Sequence, residues 1–234
     1  MSTATFALSA DEWMALALSF KVALRSVFFS LPFAMLCAWV LARRRFPGKV
    51  LFDGIVHLPL VMPPVVVGYL LLVVFGNRGA IGGWLNNNLG ISFAFSAAGA
   101  SLATAVMSFP LMVRAIRLAI ENIDPGLEAA ARTLGAGPLD RFMTITLPLM
   151  LPGVVSGAVI AFAAALGEFG AVITFVSNIP GETQTLPLAI YSALQTPGGE
   201  IAAARLAILS ITLALLALLL AEWLSRRVRV LTGR

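Results

Sequence analysis

FMTITLPLMLPGVVSGAVIAFAAALG, running from Phe142 to Gly167, contains no charged residue. At about 1.5 Å per helical residue it exceeds the roughly 20 residues needed to cross a hydrocarbon core. Working outward, Ile55 to Gly76 and Ile91 to Val113 are also free of Asp, Glu, Lys and Arg over a crossing length. Ser26 to Ala42 extends back through Trp13 to Phe20, interrupted by Lys21 and Arg25, and Ile201 to Ala221 ends on a Trp223 anchor with Arg205 near its start. These runs predict an all-α integral membrane protein of five transmembrane helices. The spans fall at about 14–42, 54–76, 93–117, 146–178 (with a break near 167–170) and 200–224, in one domain over 14–224.

Composition leads to the same place. The chain is 59% hydrophobic and 12% charged, against about 25% charged in soluble domains. Mean hydropathy is +0.95. A surface this apolar needs lipid as its solvent.

The net charge of +5 would suggest nucleic acid in a soluble protein, but the basic residues sit between apolar runs and read as topology. Arg43, Arg44, Arg45 and Lys49 follow the first span. Arg114, Arg117, Arg132 and Arg141 follow the third, and Arg226, Arg227, Arg229 and Arg234 follow the fifth. All of these share one side, against Arg78 alone on the other. The positive-inside rule then places the N-terminus outside and the C-terminus in the cytoplasm. Asp11 and Glu12 precede the first run without a basic n-region, so that run is expected to stay in the membrane. One cysteine (Cys37) and one histidine (His57) leave no Cys/His metal spacing.

Residues 121–147 form the longest cytoplasmic segment. Asp124 suits an N-cap and Pro125 the first helical position. Leu127, Ala130, Ala131 and Leu134 recur as one apolar stripe, and Glu128 and Arg132 are spaced for an i,i+4 pair. Gly135 closes this helix and Pro138 opens the next. Pattern alone leaves two readings, an interfacial helix on lipid headgroups or a docking element for a cytoplasmic partner.

The sequence from Glu128 through Gly135, followed nine residues later by Ile145-Thr-Leu-Pro148, resembles the EAA loop of ABC importer permeases. Aligned on Gly135, the family's Glu position falls on Ala129, with Glu128 one residue earlier. His57 to Tyr69, Ser108 to Arg117 and Gly167 to Glu182 look like the molybdate permease branch, over roughly residues 10–225.

The resemblance implies a type I ABC importer permease fold in the cytoplasmic (inner) membrane. It also implies a homodimer, two ATP-binding subunits that hold the ATP and Mg, and a periplasmic or extracellular molybdate-binding protein. The loop residues Glu128, Ala129, Ala130, Arg132, Thr133, Leu134, Gly135, Ala136 and Gly137 would then couple to the ATPase subunit. Tungstate, nearly the same in size and charge, and sulfate, thiosulfate or another small oxyanion are the alternative cargoes.

Within the spans, Glu168 is the one acid deep in an apolar stretch, and Gly167 and Gly170 weaken the helix around it. It reads as a gate or helix break, with Phe169 and Gly170, or as plain interfacial placement; a carboxylate would repel a dianion. Pro59, Pro63 and Pro64 must bend the second span, and the carbonyls this frees need protein or a cavity over them. Pro63 and Pro64 therefore join the pathway candidates, with Pro32 and Pro110 as milder kinks. Lys21 and Arg25 read as snorkelling to headgroups, or as an attraction for an oxyanion. For His57 an inter-helix hydrogen bond is expected.

The chain has no Gly-x-x-x-x-Gly-Lys-Ser/Thr loop, so ATP hydrolysis is assigned to a partner and the chain is read as a transport subunit, not an enzyme. An ion-coupled secondary transporter would call for inverted repeats and midplane ionisable residues. A membrane enzyme would call for a nucleophile and base, or a metal set. A simple membrane anchor leaves the proline-broken span and the EAA-like loop unexplained.

Overall fold

The computed structural model describes residues 8–231, and every regular element among them is helical. Arg234, counted above among the topology-setting cations, lies outside the described residues. The first helix, α1 (Ala10–Arg43), starts earlier than the apolar pattern does because Ser9 and Glu12 form a capping box. The Ser9 hydroxyl accepts from the Glu12 N–H at 3.2 Å and the Glu12 carboxylate accepts from the Ser9 N–H at 2.7 Å.

After a turn at Gly48 come α2 (Lys49–Val61) and α3 (Pro64–Phe75), bent by 113° from one another. Pro63 and Pro64 cannot donate backbone hydrogen bonds, so the helical ladder stops at Val61 and restarts at Pro64. Each half is about 20 Å or less at 1.5 Å per residue, too short to cross alone. Their buried residues join different parts of the core. Val56 of α2 packs in the core cluster that holds Leu41, Ile120 and Met150, whereas Val67 and Leu71 of α3 belong to the cluster of Val22, Ala100 and Phe175.

A short α4 (Ala80–Leu89) leads to α5 (Ala97–Glu121), which Ser96 caps by accepting from the Gly99 N–H at 3.1 Å. Helix α5 is the centre of the bundle and packs on α1, α2, α3 and on α8 and α9, defined next. Then follow α6 (Pro125–Thr133), α7 (Pro138–Arg141) and a π-helical turn, Phe142–Thr146, that runs without interruption into α8 (Leu147–Leu166). The π turn has a cause. Pro148 has no N–H for the Thr144 carbonyl and its ring crowds that turn; widening the ladder, with Leu147 N–H bonding Phe142 O, relieves both. The helix expected as the fourth span therefore begins at Pro138, ahead of the expected 146.

Small residues let α8 and α5 meet closely. A Cβ at Gly153 would overlap the Ala119 side chain, and one at Gly157 would lie 3.2 Å from the Met112 carbonyl. The chain ends in α9 (Gly170–Val176), α10 (Leu186–Gln195) and α11 (Glu200–Leu231). Among the described residues, four helices are long and apolar enough to cross a membrane, and the bent α2–α3 pair makes a fifth crossing if counted as one.

Candidate functional site

The two interruptions of the chain meet. Helix α8 stops at Gly167, and Glu168 bridges to α9 by accepting the Ala171 N–H at 2.9 Å. The carboxylate thus caps the short helix that restarts the chain. Gly170 sits against Pro64, where an added Cβ would lie 2.8 Å from the proline Cβ. One turn on, a Cβ at Gly68 would lie 2.6 Å from the Ala171 carbonyl oxygen and 2.8 Å from Thr174 Cβ. Phe169 packs against the ring of Tyr191 at 5.3 Å. Pro64 and Gly170, a hundred residues apart in sequence, therefore meet at the junction between α3 and α9, with Pro63 next to the first in sequence and Glu168 and Phe169 next to the second. The opposite flank of α2 and α3 is bare: Val61 is 82% exposed, and Val65 and Tyr69 are exposed as well.

At the arginine-rich end, α6 forms as its sequence dictates. The Asp124 carboxylate accepts from the Gly126 N–H at 2.8 Å, and Gly135 takes the left-handed conformation (φ 87°) that ends the helix. No residue of α6 is buried. Its apolar stripe points away from the chain, with Leu134 88% exposed and Leu139, just beyond, 70%.

The expected Glu128–Arg132 pair does not form. Glu128 turns back to Arg43 Nη2 at 3.1 Å and accepts from the Thr146 hydroxyl at 2.9 Å. An exposed i,i+4 pair contributes only about 0.3–0.5 kcal/mol, so a half-buried pair with an added hydroxyl displaces it. Glu128 thereby ties α6 to the end of α1 and to the π turn.

Nearby, Asp53 of α2 holds Arg117 of α5 at 2.9 Å, and Arg117 also binds Glu121 at 2.8 Å. The His57 ring, expected to bond another helix, stays on its own: Nδ1 lies 2.9 Å from the Asp53 carbonyl and 3.0 Å from its carboxylate. One turn of α2 brings Asp53 within reach, so the link between helices passes through Asp53.

The other end carries an ion pair that the sequence did not announce. Arg205 Nη2 and Nε donate to Glu12 Oε1 at 2.6 and 3.1 Å, across 193 residues, and the Glu12 side chain is only 8% exposed. Leu186 N–H donates to Ser19 Oγ at 2.6 Å alongside. Removing one member of a buried pair strands the other, at a cost of about 3 kcal/mol or more. Arg205→Met is therefore expected to lower thermal stability in detergent sharply, and the Glu12→Gln/Arg205→Met double substitution to recover much of it. Equal melting of the single variant and the parent would contradict the clasp. Lys21 and Arg25, by contrast, are exposed on the outside of α1.

A bundle with a proline-broken crossing, a capped restart helix and an unburied amphipathic helix at one end suits a transport subunit that docks a partner. Residues 30–230 match the family described as binding-protein-dependent transport system inner membrane component. The chain belongs to that family. It is an inner membrane component of an ABC importer. The molybdenum transport system permease protein ModB of Escherichia coli (strain K12) is 63% identical over 227 residues, covering 97% of this chain and 99% of the relative. ModB of Haemophilus influenzae is 58% identical over 95% of the chain and 97% of the relative. The sulfate transport system permease protein CysW of Synechocystis is 38% identical over 84% of the chain and 72% of the relative.

Among solved structures, a bacterial ABC transporter that imports alginate shares the fold at TM-score 0.77 and 21% identity, over 97% of this chain and 84% of that one. The MetNI methionine transporter does so at 0.69 and 18%, over 97% and 99%.

Proposed function

We propose that this chain is the membrane-spanning permease subunit of an ATP-driven importer that carries molybdate inward. The observation that carries the reading is 63% identity to a molybdenum permease along nearly its whole length. The lower identity to a sulfate permease ranks sulfate second.

In this reading two copies assemble along the bare flank of α2 and α3, forming the pathway between them. The arginine-rich end, with 121–147 as its coupling loop, faces the cytoplasm and leaves the N-terminus outside; residues 14–224 act as one transmembrane domain. Two ATP-binding subunits holding ATP and Mg seat against α6, and a molybdate-binding protein docks on the far side.

The mechanism follows from where the chain is broken. ATP-driven closure of the partner dimer moves α6. Glu128 passes that movement to α1 through Arg43 and to α8 through Thr146. At the far end of α8 the ladder stops at Gly167, so the movement reaches α9 as a hinge rotation and not as an axial push. Because α9 rests on α3 through Gly68 and Gly170, the two short helices shift together and open or shut the pathway. Glu168 holds the N-terminus of α9 while its neighbours move. Only weak contacts with the dianion are needed within the membrane, and selection is left to the binding protein.

The test is cellular molybdenum and sulfur, in cells without this gene and with it restored, on trace molybdate and with no second importer. Loss of molybdenum alone, reversed by the gene, is the expected result. Unchanged molybdenum would overturn the substrate assignment.

A further inference from the structure

Behind the coupling helix, around the Arg43–Glu128 link, lies a cavity to which the transport cycle described above assigns no ligand. A cavity of about 260 Å³ opens between the end of α1, α6 and the start of α7. Arg43, Arg44 and Arg141 reach into it against one acid, Glu128. Trp39 and Phe142 form its floor. The same two rings head a second, apolar groove of about 470 Å³, lined further by Leu31, Met35, Leu36 and Met150. The two cavities share Trp39 and Phe142 as walls, a basic cup at the arginine-rich end and an oily trough on the other side of the same rings. From Trp39 back to Leu31 the trough follows α1 for about 12 Å.

The cup is short of acceptors. Glu128 engages one nitrogen of Arg43, and Arg43 Nε is buried without a hydrogen-bond partner. Arg44 lies over the Trp39 ring at 4.9 Å, which holds its guanidinium at the rim. Arg44 and Arg141 form no ion pair among the described residues, and a phosphate oxygen meets guanidinium N–H groups of this kind with charge-assisted bonds. A free phosphate accounts for the cup but leaves the trough bare. A neutral lipid fills the trough but leaves an excess of positive charge. An anionic glycerophospholipid satisfies both.

We propose that this composite site binds an anionic phospholipid, with its phosphate among Arg43, Arg44 and Arg141 and an acyl chain along Trp39, Phe142 and Leu36. The lipid then touches the Arg43–Glu128 link and braces the coupling helix from behind.

The test uses the assembled complex, purified through its ATP-binding subunit so that only assembled permease is measured. It is placed in phosphatidylcholine nanodiscs doped with phosphatidylglycerol or phosphatidylcholine carrying a photoactivatable acyl chain. Adducts are mapped by peptide sequencing. Phosphatidylglycerol is expected to label the Leu31–Trp39 and Phe142–Met150 stretches well above phosphatidylcholine. Arg44→Gln and Arg141→Gln, which spare the Arg43–Glu128 pair, are each expected to cut the preference on the order of fivefold. Added inorganic phosphate is expected to leave labelling unchanged. Equal labelling by both probes, indifference to both substitutions, or displacement by inorganic phosphate would each overturn the proposal.

Discussion

Gly68→Val is expected to abolish molybdate uptake while leaving the subunit in the membrane and bound to its ATPase partner. The contact it breaks has no slack. A Cβ at position 68 lies 2.6 Å from a backbone oxygen, Ala171 O, and 2.8 Å from Thr174 Cβ. A backbone atom cannot rotate aside, so α9 must move away from α3, and Gly170 is pulled off Pro64. Overpacking of this kind costs about 1–3 kcal/mol, and forcing backbone apart lies at the upper end. Most of that strain falls on the junction, because α6 and the Arg43–Glu128 link belong to the other end of the bundle. The check is uptake of labelled molybdate beside membrane abundance and co-purification of the ATPase subunit. Uptake at the parent rate would contradict a working α3–α9 contact.

The second large effect is at the opposite end. Leu134→Asp is expected to stop uptake by detaching the ATP-binding subunit. Leu134 is almost fully exposed, at the end of a helix that buries none of its residues in this chain. Covering an exposed apolar side chain of an amphipathic helix with a partner is favourable. A central apolar anchor in an interface is commonly worth about 2 kcal/mol or more, and burying a carboxylate in its place adds desolvation. That is a loss of affinity on the order of thirtyfold. Pull-down of the ATPase subunit measures it directly. Retained binding with normal uptake would mean that the stripe of α6 rests on lipid.

Much of this fold is written locally. Asp124, Pro125 and Gly135 mark the ends of α6, and the structure uses each as its chemistry predicts. Pro63 and Pro64 announce the bend between α2 and α3 because a missing N–H acts wherever the residue sits. The start of α1 was legible too, since Ser9 and Glu12 have capping-box spacing, but an apolar count places it four residues late.

What could not be read depends on distant partners. Glu12 resembled a polar terminal residue and Arg205 a cation near the start of a span. Only tertiary packing joins them. The capture of Glu128 by Arg43 is of the same kind, a local pair displaced by a residue 85 positions away. The meeting of Gly170 with Pro64 has no periodic signature at all. The π turn was half legible: Pro148 signals disruption, but not whether the ladder breaks or widens.

The most direct measurement is uptake into proteoliposomes built from this subunit, its ATP-binding partner and the purified binding protein. Molybdate is predicted to accumulate only when ATP and the loaded binding protein are both present on their proper sides, and excess sulfate is predicted not to compete. Accumulation without ATP, driven by an ion gradient, or accumulation of sulfate in place of molybdate, would contradict the account.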